Sequence, residues 1–109
     1  MKELSAKKCV PCDGGVPPLT PSQAKLLRKQ LHQDWQIAED SKSLKRSYKF
    51  KDFYRTMSFV NAVAYIANIE DHHPDLSVGY NHCHVTFATH SIGGLSENDF
   101  ICAAKVDRL

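Results

Sequence analysis

No run of apolar residues in this 109-residue chain approaches the roughly 20 that a membrane-spanning helix needs. The opening residues Met-Lys-Glu-Leu-Ser-Ala-Lys-Lys hold no apolar stretch of the kind a secretory signal carries. Both absences lead us to expect a cytoplasmic protein whose four cysteines are reduced thiols. Charge of one sign is scarce too. The formal net charge is +2, too small to point to nucleic acid as the main partner. The imbalance that exists is regional: residues 1–60 carry twelve Lys/Arg and six Asp/Glu, residues 61–109 two and six, which reads as a solvated dipolar surface. Repeats and low-complexity segments are absent, and so is a zinc-protease HExxH signature.

What remains is one domain with one modest core. Residues 1–18 read as an N-terminal tail. They hold Cys9-Val10-Pro11-Cys12, then Asp13-Gly14-Gly15 and Pro17-Pro18, a loop composition. Two thiolates fall short of the four ligands of a structural zinc site, so Cys9 and Cys12 read as a local turn or a weak partner contact. Residues 19–109 read as the folded domain. Thr20-Pro21-Ser22-Gln23 is a capping box with proline at the first helical position, and it predicts a helix over 20–32. Short strands follow over 34–38 and 44–50. Asp52 caps a long helix over 53–69 whose apolar arc (Phe53, Met57, Val60, Ala64 and Ala67, widened by Phe59, Val63 and Ile66) exceeds what one sheet face needs. Part of that arc is expected to meet another subunit.

Pro74 must end the long helix, because the residue before proline disfavours helical backbone. A third strand is expected over 76–80 and a fourth over 82–89, with Cys83, Val85, Phe87 and Thr89 on one face and His82, His84, Thr86 and Ala88 on the other. Ser96 and Asp99 then open a last helix, with Leu95 and Phe100 able to pack across its start. The order α-β-β-α-β-β-α is solved most simply as an α+β fold: two hairpins forming a four-stranded antiparallel sheet, with three helices on one face.

Titratable groups gather in Glu70-Asp71-His72-His73-Pro74-Asp75, with Thr89-His90 and Asp99 downstream. Histidine exchanges protons near cellular pH, so His72, His73 and His90 are candidates for general acid–base work. Consecutive His72 and His73 point different ways, which lets one meet a substrate while the other orients it. Three other readings compete. His82 and His84 share a strand face and could join His72, His73 and Asp99 around a metal, although no metal signature supports it. Cys83 or Cys102 could be a nucleophile, yet both sit where thiols pack inertly. Last, Asp99 could be a capping carboxylate, His82 and His84 exposed strand residues, and His72 a helix C-terminal residue favoured by the dipole.

Taken together, Glu70-Asp71-His72-His73-Pro74-Asp75, Tyr80-Asn81, His84-Val85-Thr86, Thr89-His90, Gly94-Leu95-Ser96 and Asp99 resemble the pterin-4a-carbinolamine dehydratases. Trp35 and Phe50-Lys51-Asp52-Phe53 fall where that family has similar residues, and the segment Cys9 to Leu19 is similar to the lead of some bacterial and plant members. The resemblance implies a hydro-lyase. Such an enzyme eliminates water from 4a-hydroxytetrahydropterin to give quinonoid dihydropterin, and so recycles the pterin cofactor of aromatic amino acid hydroxylases. It implies a homodimer or homotetramer, with no metal or organic cofactor. It assigns His72 and His90 as acid and base and His73 as the residue that binds and orients the pterin. Pro74, Thr89, Ser91 and Ile92 would line the pocket, with Asp99 a supporting, substrate-binding carboxylate. Asn68 stands where many members carry an acidic residue, and Leu76 where many carry an aromatic one. Some relatives serve as dimerisation partners of a transcription factor, so a non-catalytic binding role through the helical face is the alternative.

Overall fold

The structure is a computed structural model that describes residues 3–11 and 16–109. Cys12 of the CxxC pair lies outside the described residues. Helix α1 spans Pro21–Arg28. The Gln23 N–H donates to Thr20 Oγ1 at 3.2 Å, and the Thr20 N–H donates to Gln23 Oε1 at 2.9 Å, so the capping box forms as its residues imply. This helix stops before the expected residue 32. The Gln30 and Leu31 amides instead take the tighter bonds to Leu27 and Arg28 carbonyls, both 3.0 Å, and the turn drives Leu31 into the core.

Strand β1 is only Gln36–Ile37. It starts later than the expected residue 34 because the Trp35 N–H is already engaged with the His32 carbonyl. Strand β2 is Leu44–Lys49 and helix α2 is Phe53–Glu70, with Asp52 Oδ1 accepting from the Arg55 N–H at 2.8 Å. Strand β3 is Asp75–Val78, β4 is His82–Phe87, and α3 is Glu97–Val106. The sheet is wholly antiparallel in the order β1-β2-β4-β3, so two hairpins lie side by side along the β2–β4 seam. The α-β-β-α-β-β-α order and the four-stranded α+β architecture are those expected.

Alternation sorts the sheet faces. Leu44, Cys83, Val85 and Phe87 are buried with Val63 of α2 and with Phe100, Ile101 and Cys102 of α3, while Lys45, Ser47, Lys49 and His84 face outward. Each large core side chain contributes about 1.5–3 kcal/mol by leaving water. At the far end of α3, Asp107 Oδ1 accepts from Trp35 Nε1 at 2.8 Å and from Arg46 Nη1 at 2.9 Å, while Oδ2 accepts from the His32 N–H. That carboxylate ties α3 to both the α1–β1 turn and β2.

Most of the expected apolar arc of α2 is at least half-buried, with Phe53 its exposed member, while Tyr54, Tyr65 and Ile69 lie outside that arc. Thr56, Val63 and Ala67 are buried, but Phe53, Tyr54, Tyr65 and Ile69 are exposed. Among the described residues, no helix is long and apolar enough to cross a membrane.

Residues 3–11, expected as a tail, lie against α3. Leu4 is buried within a short 3-10 turn, Leu4–Ala6. Lys105 Nζ donates to the Ser5 carbonyl at 3.0 Å, and Lys7 Nζ pairs with Glu97 at 3.2 Å. The segment is a strap with little regular structure, held mainly by side chains that reach it from the body.

Candidate active site

Helix α2 ends on Asp71, which takes left-handed backbone (φ 51°, ψ 41°) and lets the His72 N–H return to the Ala67 carbonyl. The chain then leaves the helix axis, with His72 turned inward and His73 outward. His72 is half-buried, its ring stacked on Phe87 with centroids 6.2 Å apart. Its Nε2 lies 2.6 Å from Asp99 Oδ1. Asp99 is fully enclosed, and its other oxygen accepts from the Thr89 hydroxyl at 2.8 Å and from the Ser96 N–H at 2.9 Å. A hydroxyl carries one hydrogen. Since Thr89 gives its own to Asp99, the Ser96 hydroxyl donates to Thr89 across 2.7 Å. The carboxylate thus receives donors on both oxygens, with His72 Nε2–H as the donor to Oδ1. That leaves His72 Nδ1 as the nitrogen able to exchange a proton elsewhere.

His73 is exposed, with Nε2 3.2 Å from Asn68 Oδ1 one turn back on α2. His90 opens a short 3-10 turn, His90–Ile92, placed by the end of β4 and closed by Gly93 in left-handed backbone (φ 68°). A bridge between Thr89 and Gly94 pins the base of that loop. A Cβ at Gly94 would stand 2.7 Å from the Pro18 ring, so this position needs glycine for close approach.

These parts border one cleft of about 570 Å³. His72, His73, His90, Thr89 and Ser91 line it, joined by Cys9, Val10, Pro11 and Asn98. Of the residues expected at the site, Pro74 and Ile92 are not on the lining. Pro74 turns the chain away into β3, and Ile92 ends the 3-10 turn. Asp99 is enclosed beneath His72 and reaches the cleft through that ring. His82 and His84 are also elsewhere. Their rings lie 5.2 Å apart on the open sheet face, where His84 Nδ1 meets the Ser47 hydroxyl at 2.7 Å, and they do not join His72 or His73. Among the described residues, no cluster of three or more His, Cys, Asp or Glu could hold a metal.

Residues 17–109 match the family model described as pterin 4 alpha carbinolamine dehydratase. The chain belongs to the pterin-4a-carbinolamine dehydratase family. A Nitrosomonas eutropha protein is 59% identical over 107 residues, covering 98% of this chain and 93% of its own length. A Legionella pneumophila protein is 56% identical over 107 residues, covering 98% and 95%. The names of both assign them provisionally as pterin-4-alpha-carbinolamine dehydratases. The crystal structure of a Brucella melitensis protein described as a transcriptional coactivator/pterin dehydratase superposes with a TM-score of 0.78 at 36% identity, covering 84% of this chain and 96% of that one.

Within this dehydratase-family chain, the strap is what sequence reasoning missed. The Val10 N–H donates to Asn98 Oδ1 at 3.0 Å, and Asn98 Nδ2 donates back to the Val10 carbonyl at 2.6 Å. The Cys9 N–H donates to Glu70 Oε1 at 2.8 Å, while Glu70 Oε2 lies 3.7 Å from Lys105 Nζ. The hydrogen bonds of Cys9 and Val10 span 61 to 88 residues of chain, so no local pattern announces them. The family model starts after this strap, whereas the Nitrosomonas and Legionella relatives align over nearly the whole chain.

Proposed function

We propose that this protein is a 4a-hydroxytetrahydropterin dehydratase that works by histidine acid–base catalysis. The observation that carries the reading is the meeting of His72, His73 and His90 around one cleft whose size suits a small bicyclic ligand. In the reaction the substrate's 4a-hydroxyl leaves as water and its N5 gives up a proton, producing the quinonoid dihydropterin. Hydroxide is a poor leaving group until protonated, so one imidazole must donate while another accepts. His72 and His90 enter the cleft from different elements, the end of α2 and the loop after β4, and are the pair for that exchange. His73, exposed and steadied by Asn68, is the pterin-binding residue, with Thr89 and Ser91 as polar lining. Each well-placed acid or base is worth about 10²–10⁴-fold in rate. The reaction itself calls for no metal or organic cofactor. In this reading the enzyme works in the cytoplasm and recycles the cofactor of an aromatic amino acid hydroxylase.

Stopped-flow dehydration of 4a-hydroxytetrahydropterin tests this. Acceleration over buffer that disappears in His72→Ala and His90→Ala is expected. Wild-type protein that leaves the buffer rate unchanged sinks the reading.

A second reading rests on the exposed Phe53, Tyr54, Tyr65 and Ile69 of α2. Such a face suits a homodimer or homotetramer, or a non-catalytic protein partner of the kind the Brucella relative's description invokes. Sedimentation of Tyr65→Glu and Ile69→Glu proteins tests it: an assembly that these charges leave intact does not use this face.

A further inference from the structure

Cys9 and Cys102 stand 93 residues apart in sequence, yet their sulfurs are 3.5 Å apart. They belong to different parts of the molecule, the strap and the core face of α3. Cys9 is half-buried and lines the cleft, while Cys102 is fully enclosed. Cys83, buried on the sheet face, is the remaining thiol among the described residues. The pairing is held by more than sulfur contact. The Cys9 N–H is bonded to Glu70, and the next residue is clamped on both sides by Asn98. The Cys102 thiol also points at the His72 carbonyl, at 3.9 Å.

We propose that Cys9 and Cys102 form a hydroperoxide-responsive thiol pair that closes to a disulfide and fastens the strap to α3 at the rim of the cleft. A disulfide has sulfurs about 2.0 Å apart, so the sulfurs must approach by roughly 1.5 Å from the 3.5 Å at which they stand. Cys9, reachable from the cleft, meets the oxidant first. Its sulfur attacks the peroxide, the O–O bond breaks, and a sulfenic acid and one water result. Cys102 sulfur then attacks the Cys9 sulfur, and the hydroxyl leaves with the Cys102 proton as a second water. Overall the two thiols lose two protons and two electrons, and the peroxide is reduced to two waters. A dithiol reductant reverses the change. Contact with Cys9, then burial, holds the Cys102 thiol well above the ordinary thiol range, so in the resting state Cys102 stays protonated and unreactive.

The bond can be read without measuring catalysis, so the proposal and the dehydratase reading fail separately. Folded wild-type protein is treated with hydrogen peroxide, alkylated, digested with trypsin and mapped by mass spectrometry. The expected product joins the peptide 9–25 to the peptide 56–105, with fragmentation placing the link at Cys9 and Cys102. Dithiothreitol releases it. Cys12→Ser and Cys83→Ser proteins still form it, and Cys9→Ser, a near-isosteric change at the edge of the core, does not. A Cys9–Cys12 link, a link through Cys83, cross-linked dimers, or Cys9 driven to sulfinic acid with Cys102 untouched would overturn the proposal, as would no reaction at all.

Discussion

Asp99 serves His72 with one oxygen and the first turn of α3 with the other, accepting from His72 Nε2 at 2.6 Å and from the Ser96 N–H at 2.9 Å. The two duties can be separated by substitution. In Asp99→Asn the amide oxygen can still accept from Thr89 and Ser96, but the NH₂ then faces His72 and forces its Nε2 to become the acceptor. His72 would be fixed as its Nδ1–H tautomer with no carboxylate to stabilise the imidazolium, so it could no longer pass between donor and acceptor at Nδ1. We expect kcat for the dehydration to fall by about 10²–10⁴ with near-normal circular dichroism and melting. Asp99→Ala should lose the cap as well and cost about 1–2 kcal/mol in urea unfolding. Unchanged kcat in Asp99→Asn would remove the positioning role.

His73 and His82 make a direct comparison, because one borders the cleft and the other lies on the open sheet face. His73→Ala should reduce kcat/KM by tenfold or more, about 1.4 kcal/mol of binding or transition-state energy. His82→Ala should leave it within a factor of about two, since surface substitutions rarely reach beyond about 0.5 kcal/mol. The reverse order in steady-state rates would break the assignment of His73 as the pterin-binding residue.

Asn98 holds the strap by both edges of its amide. Losing two such bonds costs about 1–3 kcal/mol in total. If that energy keeps the Cys9–Pro11 wall in place, Asn98→Ala should raise KM by about tenfold and leave kcat within a factor of two. Limited proteolysis should also find the strap cut sooner. An unaltered KM would mean that the wall does not contact the substrate.

Asp107 is the corresponding joint at the other end of α3. Its carboxylate receives the Trp35 indole, the Arg46 guanidinium and the His32 amide, and both charged partners are mostly buried, at 14% and 17% side-chain exposure. Asp107→Ala strands Arg46 against the Tyr48 ring, 4.4 Å away, and should destabilise by about 3 kcal/mol in urea unfolding. The catalytic rate of the remaining folded protein should be unaffected.

Much of the fold was legible because its signals are local. The capping groups of Thr20, Asp52 and Ser96 mark the three helix starts, and the alternation from Cys83 to Phe87 tells the buried sheet face from the open one. Strand ends were harder, since β1 is cut short by a turn bond of Trp35 that no propensity encodes. The three imidazoles were legible as a group from their titration range and their places at element ends. Asn98 was not, because a second-turn-facing amide at the start of a helix looks like any polar surface residue until Val10 is brought against it. Glu70 was noticed as part of an acidic and histidine-rich run, but its partners Cys9 and Lys105 come from opposite ends of the chain. The same distance hid the contact of Cys9 with Cys102, leaving a CxxC spacing that drew attention to Cys12 instead.

Because the carboxylate under His72 is also what starts α3, the first turn of that helix cannot fray without letting the imidazole swing loose. Helix ends open more readily than whole domains melt. Heating should therefore silence the protein before it unfolds it, with the loss of activity tracking the exchange of one amide, that of Ser96, rather than the collapse of the core.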